Sequence, residues 1–509
     1  MTQREQSGDG YGDGDGNGNG NGNGNGYSHG DGYGHGDGHG DGDGGLRALA
    51  MRPVLRPGRW WAPTVGVLAL IVAWGVAAWV VQYHRGLGSA GYNDHAFWAI
   101  YIADVVTFIG VSYGGAVVSA ILRLTGAEWR APLTRIAEGT AVVTVLIGGA
   151  FIFPHLGRPE RILELIYRPN LSSPIFWDFV AVSTYAFASM VFFYLPLIPD
   201  LADAADRVTA AGRPRLGRLY RLVSWRWRAT PAQRRILSGS VGLVAIMIIP
   251  LAVSVHSVLS WAFALTSRPW WHESIWAPYF VVAALYSGIA LVIVIVALFR
   301  KLYGLQALIG ERHFVRLGFI LAPFGAAYLY LTLADFLPGG YVGDHGVAAV
   351  FSSVLVGRYA IGFWLFVVGG CIAPLLVIAI PRLRHTRQIV AAAVLVDLAL
   401  WLKRMIMVVA PANYGRISGL FGSYHFTWIS VSVTLAGVAA IPLLLLLLFR
   451  VVPILSVAEI EELAHAEQQV HIPSPAVIPA PTPVGVNTRR QPSDLLGRPA
   501  TFDIAPETP

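Results

Sequence analysis

Ten long apolar runs divide this chain, and each approaches or exceeds the length of about 20 residues that a helix needs to cross a lipid bilayer. Lipid offers the backbone no hydrogen-bond partners, so open strands cannot span it and each run must be a helix. The runs lie near residues 62–81, 97–122, 136–154, 174–197, 236–265, 275–299, 315–334, 359–380, 388–409 and 426–452. The sequence therefore predicts an all-α integral membrane protein with about ten transmembrane helices.

Composition supports a lipid environment for most of the chain. Apolar residues make up 54% of it and charged residues only 13%, a balance that is unusual for a soluble domain. The net charge of +7 comes from arginines in short loops and not from a continuous basic face, which argues against a nucleic-acid partner. With Cys371 as its single cysteine, the chain is expected to hold no intramolecular disulfide, no iron–sulfur cluster and no covalently attached c-type haem, and we predict no metal site or other haem on it.

Two polar tails flank the predicted membrane domain. Residues 1–59 contain near-repeats of Gly, Asp, Asn and His, whose low apolar content cannot offset the entropy lost on ordering. Residues 456–509 are rich in Pro, Val and Thr. We expect both tails to be flexible, with the membrane domain at residues 60–455 and no cleaved signal peptide.

The loops on one side of the predicted membrane carry more basic residues than those on the other. The richer side holds Arg47, Arg52, Arg56, Arg59, Arg123, Arg130, Arg135, the arginines of 207–235, Arg300, Lys301, Arg312, Arg316, Arg382, Arg384, Arg387 and Arg450. Cytoplasmic loops are enriched in arginine and lysine, so this side is predicted to be cytoplasmic. Both chain termini then lie in the cytoplasm.

The number of helices allows two four-helix bundles, formed by helices two to five and six to nine, with helices one and ten outside them. The sequence trace of such a repeat is an aromatic pattern, FWDF at residues 176–179 and FWLF at residues 363–366. Aromatic residues are also common at membrane interfaces in general. The two bundles are therefore a hypothesis that the structure must test.

Ionisable side chains within the predicted spans gather in one leaflet. Such groups are costly in lipid and usually face protein or water, so each is a candidate functional residue. The outer half of the predicted membrane holds Asp104, His155, Asp178, His256, Asp335, Lys403 and Arg404. This pattern predicts a protonatable pocket near the outer surface.

Some of these groups have a simpler interpretation. Lys403 and Asp335 lie close enough to helix ends for their side chains to reach the lipid headgroups. His155 ends its helix, so it is equally well explained as a histidine at the membrane interface. His256 and Asp178 are flanked by apolar sequence, which favours a functional role for them.

Two further carboxylates have alternative explanations. Asp397 and Arg404 are two helical turns apart with Trp401 between them, a spacing that allows a water-bridged ion pair of structural or functional importance. Glu138 stands near the inner end of helix three, as an interfacial anchor or as the cytoplasmic end of a proton path.

A cluster of histidine and aspartate beside lipid suits the oxidation of a quinol. That reaction releases two protons with two electrons, so it needs bases hydrogen-bonded to the head-group hydroxyls. Histidine and a partly buried aspartate are suitable acceptors. Haem binding is less favoured, because a b-type cytochrome needs several histidines deep in facing helices and only His256 is clearly in mid-helix.

Two stretches resemble a known family of membrane subunits. Residues 154–179 read PHLGRPERILELIYRPNLSSPIFWDF, which is similar to the region after the third helix of polysulfide-reductase-type, or NrfD-like, subunits. Residues 250–288 read PLAVSVHSVLSWAFALTSRPWWHESIWAPYFVVAALYSG, which resembles helices five and six of the quinol-binding membrane subunit of bacterial alternative complex III. The resemblance covers roughly residues 60–463.

The resemblance implies a quinol site, with menaquinol as the expected ligand, near the periplasmic face of the bacterial inner membrane. The positions implied for this site are His155, Asp178 and His256, with Asp335 and Arg404 beside them. A proton path is implied through Glu138, Asp104 and Asp397. One departure is Ala262, because an acidic residue is expected there in many relatives.

The resemblance also implies partners that carry the electrons away. These are periplasmic iron–sulfur and multihaem cytochrome c subunits, a second NrfD-like membrane subunit and small membrane subunits, with cytochrome c or a blue copper protein as electron acceptor. Three alternatives stay open, namely the membrane subunit of a molybdenum reductase, a proton channel or transporter, and a structural anchor without a quinol site.

Overall fold

The computed structural model describes residues 42–272, 275–415 and 417–461, with side chains from residue 45 onward. Within these ranges the regular elements are all helices. The glycine-rich repeats before residue 42 and the proline-rich sequence after residue 461 lie outside the described ranges, so the flexibility expected of them stays a prediction.

Ten long helices form the body of the protein. They are α1 (Trp61–Arg85), α2 (Ile100–Leu124), α3 (Ala131–Ala150), α4 (Pro174–Tyr194), α5 (Pro231–Ala264), α6 (Trp276–Tyr303), α7 (Glu311–Val342), α8 (Ala360–Ala379), α9 (Thr386–Asn413) and α10 (Trp428–Val451). Among the described residues, nine helices are long and apolar enough to span a membrane, all but α9 of this set. Helix α9 has 28 residues and contains Asp397, Lys403 and Arg404, which lower its hydropathy.

Shorter elements connect and cover these helices. The short α-helices are Gly42–Leu55, Ile152–Leu156, Glu164–Tyr167, Leu197–Ala210, Pro214–Val223 and His345–Leu355. Single 3₁₀ turns occupy Leu87–Ala90, Glu128–Arg130, Pro159–Leu163 and Pro381–Leu383. Within α8, residues Phe366–Ile372 form a π-helix.

The two predicted four-helix bundles are confirmed. Helices α2, α3, α4 and α5 pack in sequence around a ring that closes between α5 and α2, and α6 to α9 do the same. The bundles meet mainly through α6, which packs against both α2 and α5. Helix α1 pairs with α10, and α10 packs on α3, so the first and tenth helices lie outside the rings as expected.

Helices α2 and α6 cross at a pair of glycines. A methyl group added at Gly114 would lie 1.8 Å from the carbonyl carbon of Gly288, so the two backbones touch directly. Small residues allow such close approach where lipid supplies no hydrophobic drive for helix association. Helix α2 is consequently central, with 94% of its apolar window buried against 11% for α1.

Residues 42–59 differ from the predicted flexible tail. The helix Gly42–Leu55 packs onto the body through Ala50, Met51 and Val54, all of which are buried. Arg213 donates to the Val54 carbonyl at 2.7 Å, satisfying an end of this helix. The glycine-rich composition of the preceding residues concealed this short apolar face.

The start of the predicted C-terminal tail is also packed. Residues 453–461 follow α10 across the arginine-rich end, with Ser456 and Glu459 buried. Glu459 pairs with Arg130 at 2.9 Å and with Arg123, a contact that no local sequence pattern predicts. Residues 456–461 are therefore packed, which corrects the predicted start of the flexible tail at residue 456.

Candidate functional site

His256 is the buried centre of the candidate site. It projects from α5, is completely buried, and its Nδ1 lies 2.7 Å from the Tyr113 hydroxyl on α2. Its Nε2 has no hydrogen-bond partner among the residues that the structure describes. Buried polar atoms are nearly always hydrogen-bonded, so this nitrogen is suited to a ligand or a water molecule.

Arg404 of the second bundle reaches the same place. Its Nη2 donates to Ser287 Oγ at 2.9 Å and to the Ala283 carbonyl at 3.3 Å, while its Nη1 has no hydrogen-bond partner in the described part of the chain. A methyl group built at Gly110 would lie 3.1 Å from both Arg404 Nη2 and His256 Nε2. The glycine therefore allows the two side chains to flank one point at the bundle interface.

A narrow apolar cavity adjoins this point. It is lined by Val106, Trp276, Tyr279, Phe280, Ala283, Tyr328, Arg404, Met407 and Val408. Its free volume is about 10 Å³, which is room for about one water molecule. An aromatic ring can enter only if lining side chains such as Phe280 rotate away. The arrangement supplies an apolar wall with a few polar groups, as ligand sites commonly do.

A chain of hydroxyl groups leads from His256 into the first bundle. The Tyr113 and Tyr185 rings meet edge to face with centroids 4.8 Å apart. The Ser112 hydroxyl donates to the Ile109 carbonyl at 2.6 Å and lies 3.3 Å from the Tyr185 hydroxyl. Asp178 on α4 lies within electrostatic range of Tyr113, and its Oδ1 has no partner. His256 thus contacts Tyr113 directly, and Asp178 acts on the same tyrosine through its charge.

His155 stands apart from this pair. It belongs to the short helix Ile152–Leu156, and its ring is 6.5 Å from the ring of Trp98. Trp98 in turn packs against Phe263 and Trp271. His155 Nδ1 has no hydrogen-bond partner. The structure places His155 beside the aromatic cover of the site, and its assignment to the quinol site stays a prediction.

Asp104 is a fully buried bridge between three helices. Trp401 Nε1 of α9 donates to its Oδ1 at 2.8 Å, and Thr434 Oγ1 of α10 donates to its Oδ2 at 2.6 Å. The indole nitrogen of Trp401 is therefore engaged with Asp104 on α2. Asp397 is half-buried, and its Oδ1 has no hydrogen-bond partner.

Lys403 is enclosed by aromatic rings, so the interpretation that it reaches the headgroups is wrong. Its side chain is 0% exposed, and Nζ has no hydrogen-bond partner among the described residues. Ring centroids surround Nζ at 4.5 to 5.8 Å, from Trp270, Tyr279, Phe336, Phe363 and Phe366. These rings stabilise the cation through their π faces.

Asp335 is buried beside the Lys403 cage and likewise does not reach the surface. Its Oδ2 accepts a 2.7 Å hydrogen bond from Trp270 Nε1, and it acts electrostatically on Lys403. Trp270 has a φ of 75°, an unusual conformation for a bulky residue. The surrounding rings must hold this strained residue in place.

Glu138 lies at the other end of the first bundle. It is 1% exposed, and its Oε1 accepts a 2.7 Å hydrogen bond from Ser119 Oγ. Its Oε2 has no hydrogen-bond partner among the described residues.

Ala262 is half-buried on α5, and its side chain offers no proton acceptor. In the part of the chain that the structure describes, no three His, Cys, Asp or Glu side chains are grouped to hold a metal ion.

The sequence missed several residues of the site because they are neutral. Tyr113 and Ser287 hold His256 and Arg404, and Tyr279 and Tyr328 line the cavity. Tyrosine and serine are frequent in membrane helices, so nothing in their spacing distinguishes these positions from others. Only the packing of α2 and α6 shows which hydroxyl groups face inward.

Comparison with known proteins identifies a family with this architecture. The family model described as polysulphide reductase, NrfD matches residues 88–414. The chain is 31% identical to a Halobacterium salinarum protein that is named as a membrane subunit of dimethyl sulfoxide reductase, over 68% of this chain and 76% of the relative. It is 24% identical to a selenate reductase subunit of Mesobacillus selenatarsenatis, over 70% of this chain and 84% of the relative.

A third relative comes from Archaeoglobus fulgidus. It carries the name Hdr-like menaquinol oxidoreductase integral membrane subunit and is 23% identical to this chain. The match covers 78% of this chain and 95% of the relative.

Proposed function

This chain belongs to the polysulphide reductase NrfD family, and from that premise we propose that it is the quinol-binding membrane subunit of an electron-transfer complex. The observation that carries the proposal is the approach of His256 Nε2, which has no hydrogen-bond partner among the described residues, and the Arg404 guanidinium to one point at Gly110, beside an apolar cavity between the bundles. A quinol head-group fits such a site, because each of its two oxygens can hydrogen-bond to one of these side chains. Its apolar ring can pack against the apolar wall of the cavity.

The two side chains would have different roles. Arg404 keeps its charge, so its Nη1 donates a hydrogen bond to a head-group oxygen. In one tautomer of His256, Nδ1 carries the hydrogen and donates a hydrogen bond to the Tyr113 hydroxyl. In that tautomer Nε2 accepts a proton from the ligand. A bound quinol supplies two electrons and two protons, and menaquinol is the form that we propose here.

Protons leaving His256 have an exit through neutral hydroxyl groups. Tyr113 lies at hydrogen-bond distance from His256 and within electrostatic range of Asp178, and we propose that water molecules complete the route from Tyr113 to Asp178. We propose Asp178 as the acceptor on this route and His155 as a group near its exit. Asp335 is proposed to act from the second bundle, beside the Tyr279 wall of the cavity.

Proton conduction across the whole membrane is a further part of the proposal. Glu138 would serve the arginine-rich end of the first bundle, where one of its oxygens is without a partner. Asp397 would act beside Arg404 in the second bundle. Asp104 is the weakest candidate of the path, because both of its oxygens already accept hydrogen bonds.

The complex is proposed to lie in a bacterial inner membrane with the arginine-rich end in the cytoplasm. Iron–sulfur and multihaem cytochrome c subunits would then receive electrons on the opposite face, together with a second NrfD-like membrane subunit and small membrane subunits. Two relatives carry names of reductase subunits, which supports a molybdenum reductase as the second candidate. Purification with native partners distinguishes the two candidate functions. A complex with multihaem cytochrome subunits shows c-type haem absorbance, whereas a molybdenum reductase contains molybdenum.

Binding of a quinol analogue tests the site directly. The purified complex is titrated with a hydroxyquinoline N-oxide, a fluorescent quinol analogue, using wild type, His256→Ala and Asp178→Asn. His345→Ala, at an exposed histidine of the second bundle, is the matched control. We expect His256→Ala to weaken binding by at least about 10-fold, because a lost hydrogen bond to a ligand is worth about 1–2 kcal/mol.

Subunit retention and helical content decide how the titration is interpreted. If binding is unchanged in an intact His256→Ala complex, the quinol site lies elsewhere and this chain is an anchor or a proton-conducting subunit. If binding is lost together with the partner subunits, the residues are structural.

A further inference from the structure

A basic surface lies at the arginine-rich end, in the connection between α4 and α5. The connection contains the helices Leu197–Ala210 and Pro214–Val223, which pack against one another. These helices and the following residues up to 235 are called the basic hairpin below. The proposed quinol chemistry does not use it.

The basic hairpin is held firmly against the ends of the long helices. The Tyr194 hydroxyl, in the last residue of α4, donates to the Val223 carbonyl. The Tyr220 hydroxyl donates to the carbonyl of Val451, the last residue of α10. The hairpin therefore lies level with the ends of two membrane-spanning helices, which is the depth of the lipid headgroups.

The exposed surface of the hairpin carries positive charge that is not paired with carboxylates of the described residues. Seven arginines and no carboxylate occupy residues 215–235. Arg221 pairs with Asp206 at 3.1 Å. The other six are exposed and form no ion pair with any described residue: Arg215, Arg218, Arg226, Arg228, Arg234 and Arg235.

Large apolar side chains are exposed among these arginines. Leu222 is 77% exposed and Trp225 is 76% exposed, and Leu219 and Ile236 are exposed as well. Trp225 Nε1 donates to the Tyr194 hydroxyl at 2.6 Å, which fixes the indole beside the end of α4. Tryptophan and leucine beside arginine are typical of surfaces that lie between acyl chains and headgroups.

We propose that the basic hairpin binds the phosphate groups of anionic phospholipids in the adjoining leaflet. Arginine recognises phosphate oxygens through paired hydrogen bonds, and clustered arginines at this depth attract anionic lipid. Leu222 and Trp225 enter the acyl-chain region at the same place. A soluble acidic partner would satisfy the arginines, but the indole fixed at the end of α4 favours lipid.

The test measures lipid binding to the full chain purified in a neutral detergent. Phosphatidylglycerol, phosphatidylcholine or inorganic phosphate is added, and thermal unfolding and lipid retention in native mass spectra are recorded. We expect only phosphatidylglycerol to raise the unfolding temperature and to stay bound. The triple variant Arg218→Gln, Arg226→Gln and Arg228→Gln is expected to lose at least about 10-fold in affinity for it.

A matched charge-removal variant on the opposite face is the control. Arg158→Gln with Arg161→Gln removes two exposed arginines there and is expected to bind phosphatidylglycerol like wild type. Leu222→Gln, which keeps every arginine, is expected to weaken retention. If the triple variant does not fold, the single variants Arg215→Gln and Arg228→Gln make the same comparison.

Three results would overturn the proposal. The first is equal stabilisation by phosphatidylcholine, and the second is equal stabilisation by inorganic phosphate. The third is wild-type phosphatidylglycerol affinity in the folded arginine variants. If the third result is found and the same variants, purified with their native partners, lose a partner subunit, the hairpin is a protein docking surface.

Discussion

At the scale of single residues, the candidate site depends on a glycine that carries no functional group. His256 comes from the first bundle and Arg404 from the second, and both approach Gly110 of α2. Any side chain at position 110 would occupy the point that the two nitrogens share. The space at Gly110 is therefore a requirement of the proposed ligand site and not of the helix, which would be more stable with alanine.

Gly110→Ala tests this requirement. Its methyl group would lie 3.1 Å from His256 Nε2 and Arg404 Nη2, so we expect quinol-analogue affinity to fall about 10-fold with the fold retained. Gly149→Ala is the control, since a methyl group there meets nothing within 4 Å. The measurement is the fluorescence titration described above. Equal affinity in the two variants would show that the ligand does not bind between these nitrogens.

Lys403 and Asp335 form the second residue-scale feature. The ammonium group is enclosed by rings, and the carboxylate is its nearby counter-charge. Removing one charge leaves the other buried, which is strongly destabilising, whereas removing both is tolerated better. The two single substitutions are therefore expected to lower the free energy of unfolding by more, when their losses are added, than the double substitution does.

A double-mutant cycle with Lys403→Met and Asp335→Asn measures this coupling. We expect a coupling energy of about 1–3 kcal/mol between the two sites, from thermal unfolding in detergent. The double variant should be more stable than the sum of the two single losses predicts. Additive losses would mean that the aromatic cage, and not Asp335, stabilises the lysine.

At the scale of elements, the contact of α2 with α6 positions the candidate site. Gly110 and Gly114 lie one turn apart on α2, facing Ala284 and Gly288 on α6. The close crossing brings the Arg404 partners on α6 to the same level as His256. A wider crossing would separate the two halves of the site.

Gly288→Ala is expected to widen the crossing. The added methyl group would lie 2.3 Å from the Gly114 backbone nitrogen, so the helices must separate at a cost of about 1–3 kcal/mol. Thermal unfolding measures the loss, and Gly242→Ala is the control because nothing lies within 4 Å of its added methyl group. A Gly288 variant as stable as the Gly242 variant would contradict the close helix contact.

At the scale of the whole molecule, the two ends differ in charge. The arginine-rich end gathers the helix Gly42–Leu55, the basic hairpin and residues 453–461, with internal pairs such as Arg135 and Asp200 at 2.7 Å. The opposite end carries the aromatic cover around Trp98 and Trp271. This asymmetry makes the orientation in the membrane a testable property.

Cysteine labelling from outside intact cells tests the orientation. Cys371 is buried, so new cysteines at exposed positions can be read in a Cys371→Ala background. We expect Ser172→Cys, on the arginine-poor face, to react with an impermeant maleimide, and Ala211→Cys to react only after the membrane is opened. The reverse pattern would place the arginine-rich end outside.

The sequence by itself determined the helices and the candidate charges. Spanning runs must form helices in lipid, so the ten helices were predictable, and ionisable groups within the spans, such as His256 and Asp178, were recognisable as costly. The tertiary structure alone decided which groups meet. The approach of Arg404 and His256 to Gly110 and the ring cage of Lys403 depend on contacts between distant helices. The hydrophobic periodicity and composition of a sequence describe one helix at a time, and therefore do not predict contacts between helices that are distant in the chain.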